Sequence, residues 1–315
     1  MSKLFIIGNG FDSAHKMPTR FEEFRKYIID EYELAEGEDK IPEIPDSVLM
    51  PDGEEFIDPK DAMRLALWLL TWSGGSEDCE WKDFESNLAF LDYESVMDEN
   101  TFFCDDPEHL FREANNYEMI AANLRSAMQK LPQIFEKWVE TISISEDKID
   151  DIVDLFNDSC QFLTFNYTET LEVLYEMPSD IICHIHGKRG GGQSLLVGHG
   201  VDIPREFKVH IGADYILQQI DMQLQKDTIS ALNKNRAFFQ QLANENITEI
   251  YSYGFSFSGV DMIYIEAICS YLNTDNVCWY FNDFGLDNTK KCELEEKIYH
   301  SGFKGKFGEP YHIRV

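Results

Sequence analysis

The chain alternates short apolar runs with small or polar clusters, and that alternation is its strongest pattern. Leu4-Phe5-Ile6-Ile7 is a continuous apolar run that stops at Gly8-Asn9-Gly10-Phe11-Asp12. A buried parallel strand reads this way, because both of its faces are covered. Cys160 to Phe165 predicts a second strand ending at Asn166-Tyr167-Thr168, and Thr168 to Tyr175 predicts a helix with Thr168 as its N-cap. Asp180 to Ile185 predicts a third strand, ending at His186-Gly187 and a glycine-rich turn over 188–192; Leu195 to Val197 suggests a short one more. Glu249 to Tyr253 predicts another strand, followed by Gly254-Phe255-Ser256-Phe257-Ser258. A helix over Asp261 to Leu272 and a strand over Asn276 to Phe281 complete the series.

Helical spacing fills the remainder. Phe21, Phe24, Tyr27 and Ile28 lie on one face of a helix to Tyr32; Ala62 to Trp72, Trp81 to Leu91 and Tyr117 to Val139 follow, the last interrupted at Pro132. Residues from about 20 to 155 thus form a mostly helical insertion after the first strand, with an acidic, proline-bearing loop over 30–61 inside it. Tyr215 to Asn244 is a long helical region. The fold class expected is α/β: one domain over 1–315, with an open, mostly parallel Rossmann-like sheet. In such a sheet ligands bind beyond the carboxyl ends of the strands, so four polar strand ends converge on one crevice if their strands are neighbours.

Composition narrows the chemistry. The 315 residues carry 58 acidic against 27 basic side chains, a formal charge of -31. A nucleic-acid binder needs a basic surface, so neither nucleic acid nor a nuclease activity is expected. No apolar run approaches the ~18 to 20 residues that span a bilayer. The opening apolar run is too short for a signal peptide, so a cytoplasmic protein without membrane partners is expected. Seven scattered cysteines without CxxC pairs argue against a disulfide framework and a structural zinc site.

Each cluster has a chemical and a plain reading. Gly8 and Gly10 either bring backbone N–H groups of Gly8, Asn9, Gly10 and Phe11 to a phosphate or make a tight turn. The GxGxxG fingerprint is incomplete, with Ser13 at its third glycine. Asp12 either bonds a ribose hydroxyl or caps the next helix, and His15 either enters the crevice or is structural. Asn166 holds a ribose hydroxyl or a water, or bonds its own turn. His184 and His186 alternate on one strand face; His184 is read as a core histidine and His186, with Gly187 after it, as a general base. Gly254 and Ser256 suit a ribose or phosphate contact, and Asp261 doubles as a helix cap.

Taken in order, IIGNGFDSAHKMPTRFEEF, Trp81-Lys82-Asp83-Phe84-Glu85, FLTFNYTETLEVLY, HIHG and YGFSFSGVDMIYI resemble the AbiH family of phage abortive-infection proteins. More distantly the same order resembles the sirtuin-like NAD-binding domains of antiphage NAD hydrolases. Gly8 and Gly10 match their glycine loop, Asn166 the Asn of T-x-N-Y/I-D, His186 the His of HG, and Gly254 with Ser256 the late G-x-S. Thr168 replaces the motif's Asp, and the sirtuin zinc cysteines are missing, so protein deacetylation is not implied. The resemblance implies an antiphage protein that binds NAD as substrate, without a metal, and cleaves its nicotinamide–ribose bond when triggered. Asn166 and His186 are then the catalytic pair, and Gly8, Asn9, Gly10, Phe11, Asp12, His15, Tyr167, Gly187, Gly254, Ser256 and Asp261 the nucleotide-binding residues. A phage-derived trigger and a homo-oligomer are the further partners implied. The alternative is a nucleotide-sensing or interaction module without turnover.

Overall fold

The structure is a computed structural model describing residues 2–35, 40–53, 55–72, 84–101, 110–156, 159–200, 205, 207 and 212–314. The chain divides into two compact units. One gathers Met1–Arg20, Val139–Leu196 and Asp227–Val315; the other gathers Phe21–Trp138 and Val197–Lys226.

The first unit holds a six-stranded sheet: β1 (Ser2–Ile7), β2 (Ser159–Thr164), β3 (Ile182–His184), β4 (Ile247–Tyr253), β5 (Cys278–Phe281) and β6 (Lys306–Phe307). Every strand pair is parallel, and the order across the sheet is β3-β2-β1-β4-β5-β6. The sheet is therefore open and wholly parallel. The chain builds outward from β1 in one direction, then starts again at β4 on β1's other side. β1 sits centrally, with Ile7 paired to both Thr164 and Tyr253, which is why its side chains from Leu4 to Ile7 are all buried. Its alternate residues feed two cores. Leu4 and Ile6 join Leu163, Ile250, Ile268 and Trp279 on one face. Phe5 and Ile7 join Phe11, Phe156, Phe162 and Tyr251 on the other.

Three short helices matter for the site: α1 (Asn9–Ala14) after β1, α2 (Thr170–Val173) after β2, and α3 (Met262–Tyr271) after β4. The helix expected over 168–175 is thus shorter, because the Thr168 hydroxyl bonds Asp12 instead of capping. The third strand ends at His184, so the alternation that would place His184 and His186 on one face does not reach His186. Leu195–Val197 forms no strand; the Leu196 N–H donates to the His186 carbonyl at 2.9 Å.

The second unit is helical, with Phe21–Tyr32, Pro59–Trp72, Tyr93–Glu99, Leu110–Met128 and most of Lys130–Thr141. Pro132 lies in the first turn of the last of these, where its missing N–H costs no helix bond. A two-stranded antiparallel ribbon, Val48–Leu49 with Glu55–Phe56, stands within the stretch expected to be loop. The region 215–244 is three helices rather than one, and the first, Asp214–Gln223, belongs to this second unit. Trp81, Lys82 and Asp83 lie outside the described residues. Glu85 of the same segment accepts from Lys226, whose side chain is buried, at 2.9 Å.

Candidate functional site

The four strands whose ends carry polar clusters lie side by side as β3-β2-β1-β4. Asn166 follows β2 by two residues, and His186 follows β3 by two. Thr164 pairs with His184, so Asn166 and His186 leave neighbouring strands at the same level.

Asn166 has four polar groups to satisfy. Its N–H meets the Thr164 hydroxyl at 3.2 Å, and its carbonyl lies 3.1 Å from His184 Nδ1. Its side-chain amide lies beside the Asp12 carboxylate and favours its charged form. Since a carboxylate only accepts, the amide must turn its NH2 to Asp12, which sends Oδ1 the other way. That Oδ1 is buried and has no hydrogen-bond partner among the described residues, although Asn166 is only 6% exposed. Buried acceptors are almost always paired; Gln161 Oε1, Glu172 Oε2 and Asp221 Oδ1 share this condition among the described residues.

Asp12 is 1% exposed and sits at the centre of the cluster. Thr168 donates to its Oδ2 at 2.5 Å and Thr170 to its Oδ1 at 2.8 Å. Burial pushes its carboxyl above the ordinary range, while bonds from Thr168, Thr170 and Asn166 and the charge of His184 oppose the rise. Asp12 therefore neither caps the following helix nor presents an open face; it holds the Asn166 turn. His15 is likewise internal. It is buried, with Nδ1 2.7 Å from the Phe11 carbonyl and Nε2 2.6 Å from the Tyr175 hydroxyl. The carbonyl only accepts, so Nδ1 carries a proton and the Tyr175 O–H donates to Nε2.

His186 is 3% exposed, ringed by Phe165, Tyr167 and Tyr264. Its Nε2 lies 3.3 Å from Asp261 Oδ1. Asp261 Oδ2 accepts from Ser258 at 2.9 Å, and the Asp261 side chain makes no helix-capping bond. Asp261 thus stands between the two, hydrogen-bonded to Ser258 and 3.3 Å from the His186 ring nitrogen. Ser256, singled out from the sequence, is exposed; Ser258, two residues on, makes the contact. The Tyr167 hydroxyl donates to the Leu196 carbonyl at 2.8 Å and ties down the segment after Gly187. Gly187 itself has φ +82, which glycine alone adopts readily.

The glycine loop serves the packing of two strand ends. The N–H groups of Gly8, Gly10 and Phe11 donate to the carbonyls of Tyr253, Gly254 and Gly8, at 3.0, 3.0 and 2.9 Å. Those donors are engaged within the protein, so the phosphate cradle assigned to them from the sequence is closed. A Cβ on Gly8 would stand 2.4 Å from the Gly254 carbonyl oxygen, so the two backbones touch because neither carries a side chain. Phe11 is core, and exposed Asn9 is the loop's side chain facing out.

His184 is not a core histidine. Its Nε2 lies 3.0 Å from Glu172 Oε1, which also accepts from Lys188 at 2.8 Å. Burial works to raise the Glu172 carboxyl, but the bonds from His184 and Lys188 outweigh it and hold the group down at about 2. Glu169 beside it accepts from Arg189 at 2.6 Å. Thr170, Glu172, Lys188 and Ser258 escaped the sequence reading. The signal for the two charged pairs was Glu169 and Glu172 after NYT, matched by Lys188 and Arg189 after HG. Among the described residues, no three His, Cys, Asp or Glu side chains are grouped to hold a metal ion. No described helix is long and apolar enough to cross a membrane.

The fold and site together define an open, parallel α/β protein with a polar cluster beyond the carboxyl ends of its central strands. The family model described as "Bacteriophage abortive infection AbiH" matches residues 4–283, and the chain belongs to that family. No curated protein and no solved structure matches it.

Proposed function

We propose that the chain is a phage-defence protein of sirtuin-like, Rossmann type that binds NAD at these strand ends and hydrolyses its nicotinamide–ribose bond. The observation that carries this reading is the buried Asn166 Oδ1, without a partner among the described residues, beyond the strand next to the one that His186 follows, with His186 facing Asp261. An acceptor so placed suits a ribose hydroxyl or an attacking water. Support for the fold comes from the strand order. Counted outward in chain order it runs 3-2-1-4-5-6, the order of dinucleotide-binding sheets, whose ligands sit where the order reverses. Here that point lies between β1 and β4.

In this reading water's oxygen adds to the ribose C1′ as the bond from C1′ to the nicotinamide nitrogen breaks, and the electron pair leaves with nicotinamide. The transition state is oxocarbenium-like, as in glycoside hydrolysis. Asn166 Oδ1 accepts from the ribose hydroxyl or the water. His186 takes up the released proton, its imidazolium stabilised by the Asp261 carboxylate that Ser258 orients. Asn9 and the Gly254–Ser256 loop border the rest of the dinucleotide. Basal turnover is low and awaits a trigger, because unrestrained NAD loss would kill the host.

The test is nicotinamide release from NAD by purified protein, beside Asn166→Ala and His186→Ala forms checked for folding. Release by the wild type, reduced at least ~100-fold in both variants, is the expected result. NAD binding without release, weakened in Asn166→Ala, would replace hydrolysis with the sensing role.

A further inference from the structure

We propose that His184 is a positioning residue for Asn166, and that Glu172 and Lys188 form with it a clamp on the turn. The proposal rests on the reading of Asn166 as the ligand-binding amide. The proposed chemistry gives this cluster no task. Its three side chains come from three places: Glu172 from α2, His184 from the end of β3, and Lys188 from the turn beyond. They converge on one oxygen, Glu172 Oε1, at 3.0 Å from His184 Nε2 and 2.8 Å from Lys188 Nζ. The ring's other nitrogen, Nδ1, lies 3.1 Å from the Asn166 carbonyl. A carbonyl only accepts, so Nδ1 is the donor.

Asn166 is therefore gripped twice. Asp12, from the β1 side, faces its side-chain amide; His184, from the β3 side, fixes its backbone carbonyl. The two holds meet again in α2, where Thr170 bonds Asp12 and Glu172 bonds His184. With the second hold removed, the peptide between Asn166 and Tyr167 is free to turn. That turn redirects the Cα–Cβ bond and moves Oδ1, while the apolar cores on both faces of the sheet stay intact. A cluster that buries charge is a poor source of stability. This one grips Asn166, whose Oδ1 is buried without a hydrogen-bond partner among the described residues.

The test compares His184→Ala, His184→Asn and Glu172→Gln in the full chain. Asparagine returns a donor near the place of Nδ1. Two readings are taken: kcat and KM for NAD, and the 15N–1H signal of the Asn166 side-chain amide without ligand, assigned through Asn166→Asp. Expected for His184→Ala is a kcat lower by ~10- to 100-fold, a smaller change in KM and a displaced amide signal. His184→Asn restores most of both, and Glu172→Gln falls between. If His184→Ala does not fold, the other two variants decide by the same readings. An amide signal unmoved in every folded variant overturns the clamp, as does His184→Asn behaving no better than His184→Ala. If the wild type proves not to turn over NAD, the hydrolase reading fails. The amide signal still decides the clamp: moved in His184→Ala and restored in His184→Asn supports it.

Discussion

At the scale of single residues, the first unit uses polar side chains to lock loops, and one lock reports on pH. The Ile149 N–H donates to the Tyr175 hydroxyl, Tyr175 donates to His15 Nε2, and His15 Nδ1 donates to the Phe11 carbonyl. A neutral imidazole completes this chain, and burial lowers the His15 proton affinity below its ordinary 6.5. The unfolded chain therefore takes up this proton first as pH falls. The stability tied to His15 is complete above pH ~6.5, declines below it, and stops declining once pH passes the depressed native value. Thermal melts between about pH 7.5 and about pH 5.5 should show a shallower fall of Tm in His15→Gln than in the wild type, whatever the variant's absolute Tm. Parallel slopes would show that His15 does not titrate in this way. Much of this was hidden from sequence. The partners that decide His15, Tyr175 and Asp12 lie far along the chain, and a lone helical histidine or aspartate reads the same whether exposed or locked. The placement of Asn166 and His186 at strand ends was legible, because each follows a buried apolar run.

At the scale of elements, the strand ends are joined by backbone contact, and the glycines are its condition. Gly254 has φ +63, and a Cβ there would stand 2.5 Å from Gly10 Cα and from Phe11 N. Gly190 has nearly the same φ, +64, with open space around it. Gly190→Ala then isolates the backbone cost, about 1 to 2 kcal/mol. Gly254→Ala adds the collision between β1 and β4 loops and should cost about 2 to 5 kcal/mol. Urea unfolding midpoints for the two variants measure the difference; equal losses would mean the loops part without penalty. The strands themselves were readable, since a strand buried on both faces leaves a run such as Leu4 to Ile7. Their order was not, because pairing β4 beside β1 joins residues more than two hundred apart in the chain. Nor was the break of 215–244 into three helices, where Asp227 caps a new start by accepting from the Ser230 N–H at 2.9 Å. An aspartate inside a polar helical stretch gives little warning of that role.

At the scale of the whole molecule, the charge and the family point the same way. A chain with 58 acidic and 27 basic residues repels phage DNA and RNA, so an abortive-infection protein of this composition is better suited to withdraw something the infected cell needs. Lys188 and Arg189 are engaged by Glu172 and Glu169. The consequence is measurable in cells. Bacteria carrying the chain and challenged with a panel of phages should, for the phages it restricts, lose NAD after infection and release fewer progeny. Cells carrying Asn166→Ala or His186→Ala at the same protein level should keep their NAD and release phage as unprotected cells do. Protection that survives in both variants would separate defence from the strand-end site and move it to another surface of the molecule. Protection lost in both while NAD stays constant in the wild type would keep the site and change its ligand.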